Sequence, residues 1–173
     1  MNDNTSIKIA RLITLEKKFR TAENLSELGF VCANELRSVV DYNFLFFLTK
    51  SAMGQQKVQT ISDISVVDRT APTVTFVERL INKKKVEKGV FSEVSISDLR
   101  EDGSNLDLPE NFPNELMVVP LISRTKGDLG SLVILRSNKI SNTEKELLQH
   151  IAETFSHALD SFLSRGSILS FFG

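Results

Sequence analysis

Two histidines, one cysteine, a run of carboxylates and three serines near turns are the residues of this chain with the most chemistry in their side chains. His150 and His157 stand seven apart in a stretch with helical periodicity, so both can face the same way, toward heme or a metal. No carboxylate or cysteine stands at ligand spacing beside them, and they read instead as solvated or interface histidines. Cys32 lies on the stripe Leu25, Leu28, Cys32, Leu36, Val39, where a lone thiol serves as a small apolar packing group. Asp98, Glu101, Asp102, Asp107 and Glu110 make an oxygen-rich segment of the kind that attracts calcium. Their spacing fails the EF-hand pattern, because Arg100 occupies the second ligand position and Pro109 the closing glutamate, so a solvated loop is expected. Ser92, Ser123 and Ser131 have hydroxyls, but a serine nucleophile needs a base and an orienting group, and no such set is recognisable. The glycines are too dispersed for a phosphate-binding loop. The sequence therefore predicts no catalytic residue and no metal, and the cofactor is left unknown.

Composition narrows the classes further. At 173 residues, with 41% apolar and 25% charged side chains, the chain is of a size and kind for one globular domain. Its net charge of -1 gives no basic field, so nucleic acid is not expected as a partner. A single cysteine cannot form an intramolecular disulfide, which suits a reducing cytoplasm. No run approaches the roughly 20 apolar residues of a membrane span. The apolar stretch Ile168, Leu169, Phe171, Phe172 suggests a boundary inside a longer protein, so any membrane contact is expected through a segment outside this chain.

The elements that must position these residues are clearest toward the end of the chain. Leu116 to Ile122 is almost wholly apolar, with Pro120 suggesting an edge or bulge. A polar turn at Thr125 to Asp128 and a second apolar run, Leu129 to Leu135, complete an antiparallel hairpin, in which Gly130 suggests a bulge or a close backbone approach. Ser141 and Glu144 have capping-box spacing, and Leu147, Leu148, Ile151, Ala152, Phe155, Ala158, Leu159, Phe162 and Leu163 then trace one broad helical face, with Arg165 and Gly166 marking the expected end. Before these come a helix over residues 6–19 and a stronger one from Leu25 to Val39, capped by Thr21 or Asn24. A strand Phe44 to Leu48 reads as central and covered on both faces, and Lys57 to Ile61 as its half-exposed hairpin partner. Pro72 opens a helix with Val74, Val77, Leu80 and Ile81 on one face, ending in Lys83, Lys84 and Lys85. Phe91 to Ile96 alternates as a short strand, and Asp98 to Asn114 reads as a long acidic loop.

The order helix, helix, strand, strand, helix, strand, strand, strand, helix resembles the GAF domain, a relative of PAS domains. The resemblance rests on Val119, Pro120, Leu121, the turn around Gly127, the run Leu129-Gly130-Ser131-Leu132-Val133-Ile134-Leu135, and the closing helix from Thr143 to Leu163. It implies an α+β fold with an antiparallel central sheet of about five to six strands, terminal helices on one face and a ligand pocket on the other. It implies the division 1–20, an N-terminal helix for dimerisation or linkage; 21–165, the GAF-like domain; and 166–173, a linker or the start of a further segment. In function it implies a cytoplasmic, non-catalytic sensory or regulatory domain that signals through the terminal helices of a homodimer. A small molecule or partner is then expected in the sheet-side pocket, whose wall would include Phe76, Phe91, Leu121 and Ser131. The asparagine–lysine–phenylalanine–aspartate–glutamate motif of cyclic-nucleotide members is not present, the cysteine of bilin-binding members has no counterpart in the pocket region, and one cysteine does not suffice for the methionine sulfoxide reductases of this fold. The alternative expectation is a ligand-free GAF-fold dimerisation or docking module of a larger signalling or membrane-anchored secretion protein, its pocket filled by phenylalanines.

Overall fold

The computed structural model describes residues 3–83, 89–101 and 108–172, with side chains described from 6 to 163 within those ranges. Five antiparallel strands form one sheet in the order β2-β1-β5-β4-β3. They are β1 (Phe44–Lys50), β2 (Gln56–Ile61), β3 (Ser92–Ser95), β4 (Glu115–Ser123) and β5 (Gly127–Arg136). The helices are α1 (Asp3–Thr21), α2 (Leu25–Glu35), α3 (Pro72–Asn82), α4 (Ile96–Glu101) and α5 (Asn142–Phe172). The expected α+β architecture is thus present, with α1, α2 and α5 on one face and α3 on the other.

Alternation along the strands divides the core in two. Leu45 and Phe47 of β1, Met117, Val119 and Leu121 of β4, and Leu132 and Ile134 of β5 face the terminal helices. Phe46, Leu48, Leu116, Val118, Val133 and Leu135 face α3. Both faces of β1, β4 and β5 are covered, which explains why these strands read as unbroken apolar runs. α1 sends Leu15 and Phe19 into the same cluster, at 2% and 1% exposure.

Local signals in the sequence explain most element boundaries. Asn24 is the N-cap of α2, accepting from the Glu27 N–H at 2.8 Å. The capping box of α5 is formed in both directions: the Glu144 N–H donates to Ser141 Oγ at 3.2 Å and the Ser141 N–H to Glu144 Oε1 at 3.1 Å. Pro72 stands in the first turn of α3, where its missing N–H is no loss. Gly29 of α2 packs so closely on the sheet that a Cβ there would lie 2.7 Å from Thr60 Oγ1. Gly130, with φ +155°, meets the Leu48 carbonyl, which would stand 2.0 Å from an added Cβ. The expected close backbone approach is therefore real.

Three expectations are corrected. α2 stops at Glu35 and Leu36–Ser38 tightens into a 3-10 turn, because Arg37 is drawn away to Asp63, whose carboxylate takes both guanidinium nitrogens at 3.0 and 2.8 Å. The acidic loop begins as helix: α4 buries Ile96 and Leu99, and Asn114 holds its start by accepting from Ser97 N at 2.9 Å and, through its carbonyl, from Ile96 N at 2.8 Å. α5 does not end at Arg165 and Gly166 but runs through them to Phe172; a glycine costs a helix interior only about 1 kcal/mol, and here no proline follows to stop the chain. Pro120 stands where an edge and a bulge are expected: β3 stops opposite Val118, leaving β4 open on that side, and the register with β5 shifts between Leu121 and Ile122. Of the lysines after α3, Lys84 and Lys85 fall outside the described residues.

One edge of the sheet is covered by side chains of a helix. Along β2, α3 stands in for a missing strand: the Gln56 N–H donates to Asn82 Oδ1 at 2.8 Å, Asn82 Nδ2 donates to the Gln56 carbonyl at 2.9 Å, and the Val58 N–H reaches Glu78 Oε1 at 3.3 Å. Side chains one helical turn apart thereby satisfy an exposed ladder.

Candidate functional site

The four residues expected to share a pocket wall are parted by the sheet. Leu121 is buried in the cluster under the terminal helices, and Phe91 packs against that same cluster. Phe76 packs against the α3 cluster, where its ring meets Phe112 edge-on at 6.4 Å. Ser131, 4% exposed, pairs with Leu48 and Pro120 and follows the alternation onto the α3 face. Strand periodicity, which turns each successive side chain over, is the reason residues close in the family pattern separate in space.

Between α3 and the sheet the space is occupied. Val74, Val77, Leu80 and Ile81 meet Phe46, Leu48, Val58 and Val133, all at 5% exposure or less. Phe44 and Phe112 stack at 6.1 Å over one end of this layer. One polar atom is enclosed there: Gln56 Oε1 is buried and has no hydrogen-bond partner among the described residues.

The helix side holds an aromatic centre, in which Phe155 meets Phe47 at 5.1 Å and Phe19 at 5.2 Å, both edge to face. Cys32 is fully enclosed in the same cluster, and burial pushes its thiol far above the ordinary range, so it packs rather than reacts. His150, expected to lack a carboxylate, has one from α1: its Nε2 is 3.3 Å from Glu16 Oε1, while Thr154 donates to Glu16 Oε2 at 2.6 Å. Glu16 lies on α1, more than a hundred residues away in sequence. His157 is exposed and does not join His150 in a metal centre; no cluster of three or more metal-ligating groups occurs among the described residues. Asp102 and Asp107 of the suspected calcium segment lie outside those residues.

Beside α5 an open groove of about 1370 Å³ runs along the end of β4, past the point where β3 stops. Ser123 and Asp160 line it, and here a serine, a carboxylate and His157 share a cavity. Their wiring is that of a brace. Ser123 Oγ donates to Asp160 Oδ2 at 2.7 Å and accepts from the Thr125 and Lys126 N–H groups at 3.2 and 3.1 Å, and Lys126 Nζ stands 3.1 Å from Asp160 Oδ1. The Ser123 hydroxyl, followed by the Lys126 ammonium, holds the Asp160 carboxyl below the ordinary aspartate range. A hydroxyl that donates to a carboxylate is positioned, not activated, because the carboxylate is too weak a base to take its proton. The groove lining also includes Ser156, a residue 3% exposed. Its only signal in the sequence was position: it sits four residues after Ala152 and three before Leu159, inside an otherwise apolar face.

No protein-family model matches the chain, and no curated protein matches it. Solved structures do. The GAF domain of an Acinetobacter phosphoenolpyruvate-protein phosphotransferase superposes with a TM-score of 0.67 at 11% identity, covering 95% of this chain and 97% of that one. The corresponding domain from Coxiella burnetii gives 0.64 at 13% identity, over 95% and 99% of the two chains. The phycoerythrobilin-bound GAF domain of a cyanobacterial phytochrome gives 0.63 at 15% identity, over 94% and 99%. The fold of this chain is the GAF fold.

Proposed function

We propose that the chain is a non-catalytic regulatory GAF module that works as a homodimer through its terminal helices, in the cytoplasm. The observation that carries this reading is an apolar stripe left open on α1: Ile9 and Ile13 are 43% and 59% exposed, one turn apart, on a helix that packs against α5 through Phe19 on a different face. Exposed isoleucines at this spacing are what a partner helix covers in a bundle. The Phe155 cluster then links the helices to the sheet, so a change in how they pair would be felt in the core. Sedimentation velocity at micromolar concentration is expected to show a dimer, and Ile9→Glu with Ile13→Glu a folded monomer. A wild-type chain that stays monomeric over that range refutes the reading.

A second reading keeps the small ligand on the α3 face, and Gln56 favours it, because an enclosed amide oxygen without a donor is costly unless something supplies one. Opening that site means moving α3 off packed side chains. A ligand held there would raise the melting temperature in a metabolite and nucleotide screen, and Gln56→Leu would abolish the shift.

A further inference from the structure

The groove beside α5 is a separate feature from both readings above. Its charged lining consists of Arg20, Arg124, Glu153, Asp160 and His157. Asp160 is already satisfied by Ser123 and Lys126. Neither Arg20 nor Arg124 has a hydrogen bond or ion pair among the described residues, and Glu153 is the one remaining carboxylate, so two guanidiniums face one acid. Phe91 and Ile122 supply apolar wall, with Ile122 48% exposed. Ser156, a residue 3% exposed, also lines the groove, and no side-chain hydrogen bond holds its hydroxyl among the described residues, so it is free to bond a guest or water there. Pro120, which also lines the groove, offers no N–H to an added strand, so an extended peptide pairing with the β4 edge is a poor occupant.

We infer that this groove is a binding site for a small acid with an apolar body, its carboxylate, phosphate or sulfonate met by Arg20 or Arg124 and its inner end hydrogen-bonded to Ser156. Guanidinium groups suit such anions because their paired N–H donors match the geometry of two oxygens.

The test uses 8-anilinonaphthalene-1-sulfonate, an aromatic anion whose fluorescence reports burial. The full chain is expected to bind it saturably, one per chain. Arg124→Glu and Arg20→Glu are surface changes that leave the fold intact, and each is expected to weaken binding by about fivefold or more. Ser156→Ala is expected to weaken it by about twofold to tenfold while leaving the melting temperature little changed, since no hydrogen bond within the fold is removed. The neutral analogue N-phenyl-1-naphthylamine is expected to bind with an affinity insensitive to both charge reversals. Ile9→Glu with Ile13→Glu is expected to leave sulfonate binding unchanged, which separates this site from the dimer surface. Non-saturating fluorescence, or an affinity that none of the three groove substitutions alters, overturns the inference.

Discussion

Glycine to alanine at two positions of β5 separates a steric argument from a conformational one. At Gly130, φ is +155° and the methyl carbon would stand 2.0 Å from the Leu48 carbonyl oxygen, 3.0 Å from its carbon and 3.1 Å from Thr49 Cα. An ordinary carbon–oxygen contact is about 3.5 Å, so β1 and β5 must part by more than 1 Å at that point, a gap on which the adjoining ladder bonds at Leu48↔Ser131 and Thr49↔Gly130 do not survive. Two lost backbone hydrogen bonds at about 1 kcal/mol each, together with a backbone strain of about 1–3 kcal/mol, place the loss at about 3–5 kcal/mol. That is a large share of the roughly 5–15 kcal/mol that holds a domain together. At Gly127, φ is +75° and nothing lies within 4 Å of an added methyl, so only the left-handed backbone is penalised, by about 1–2 kcal/mol. Urea denaturation followed by circular dichroism would give Gly127→Ala a cooperative transition at lower denaturant, and Gly130→Ala a midpoint far below it or no folded baseline. Equal losses at the two positions would refute the claim that backbone proximity, rather than glycine's conformational freedom, fixes residue 130.

Three further outcomes follow from contacts described above. Burial raises the Glu144 carboxyl, but hydrogen bonds from Arg136 and the Ser141 N–H, with the attraction of the guanidinium, outweigh it and hold the group below its ordinary value of 4.5. Its stabilisation, about 1 kcal/mol, is therefore complete above the unfolded-state value and is lost as pH falls through the lower folded-state one, so the gap in urea midpoint between wild type and Glu144→Gln should be constant near neutrality and close below about pH 4; a gap that persists into stronger acid counts against the capping role. Cys32 should resist a thiol reagent such as 5,5′-dithiobis(2-nitrobenzoate) until the chain is unfolded, and Cys32→Ser should lower stability by about 1–3 kcal/mol by burying a hydroxyl; stoichiometric labelling of the native protein within minutes would contradict the packing. Asn82→Ala removes both bonds to Gln56 and uncovers the β2 edge, so a loss of about 1–2 kcal/mol and increased light scattering on warming are expected; unchanged stability and scattering would show that α3 does not protect that edge.

The parts of the fold that were legible in the sequence are those whose causes are local. The reciprocal bonds of Ser141 and Glu144, the cap at Asn24, Pro72 at the head of α3 and the close approach at Gly130 are each written within a few residues. α4 was missed because six residues with two buried positions, Ile96 and Leu99, are too few to show a period against acidic neighbours. The continuation of α5 was missed because a basic residue followed by glycine is also how helices end. For Phe76, Phe91, Leu121 and Ser131 the sequence does not reveal which face of the sheet each one joins. Whether Leu121 and Ser131 share a face depends on strand pairing and on the register shift between Leu121 and Ile122, neither of which one strand reveals. Glu16 reaching His150 and Thr154 is a contact between opposite ends of the chain, invisible to any window.

The Glu16 carboxylate, gripping two residues of α5 from α1 one turn before the Phe19 ring contact, makes the two helices a single shaft. A twist applied to α1 is handed to α5 directly, without crossing the sheet, and the sheet registers it through Phe47 and through the Ser123–Asp160 bond between β4 and α5. Loosening that grip would let the helices turn independently and uncouple one terminus from the other while leaving the sheet intact.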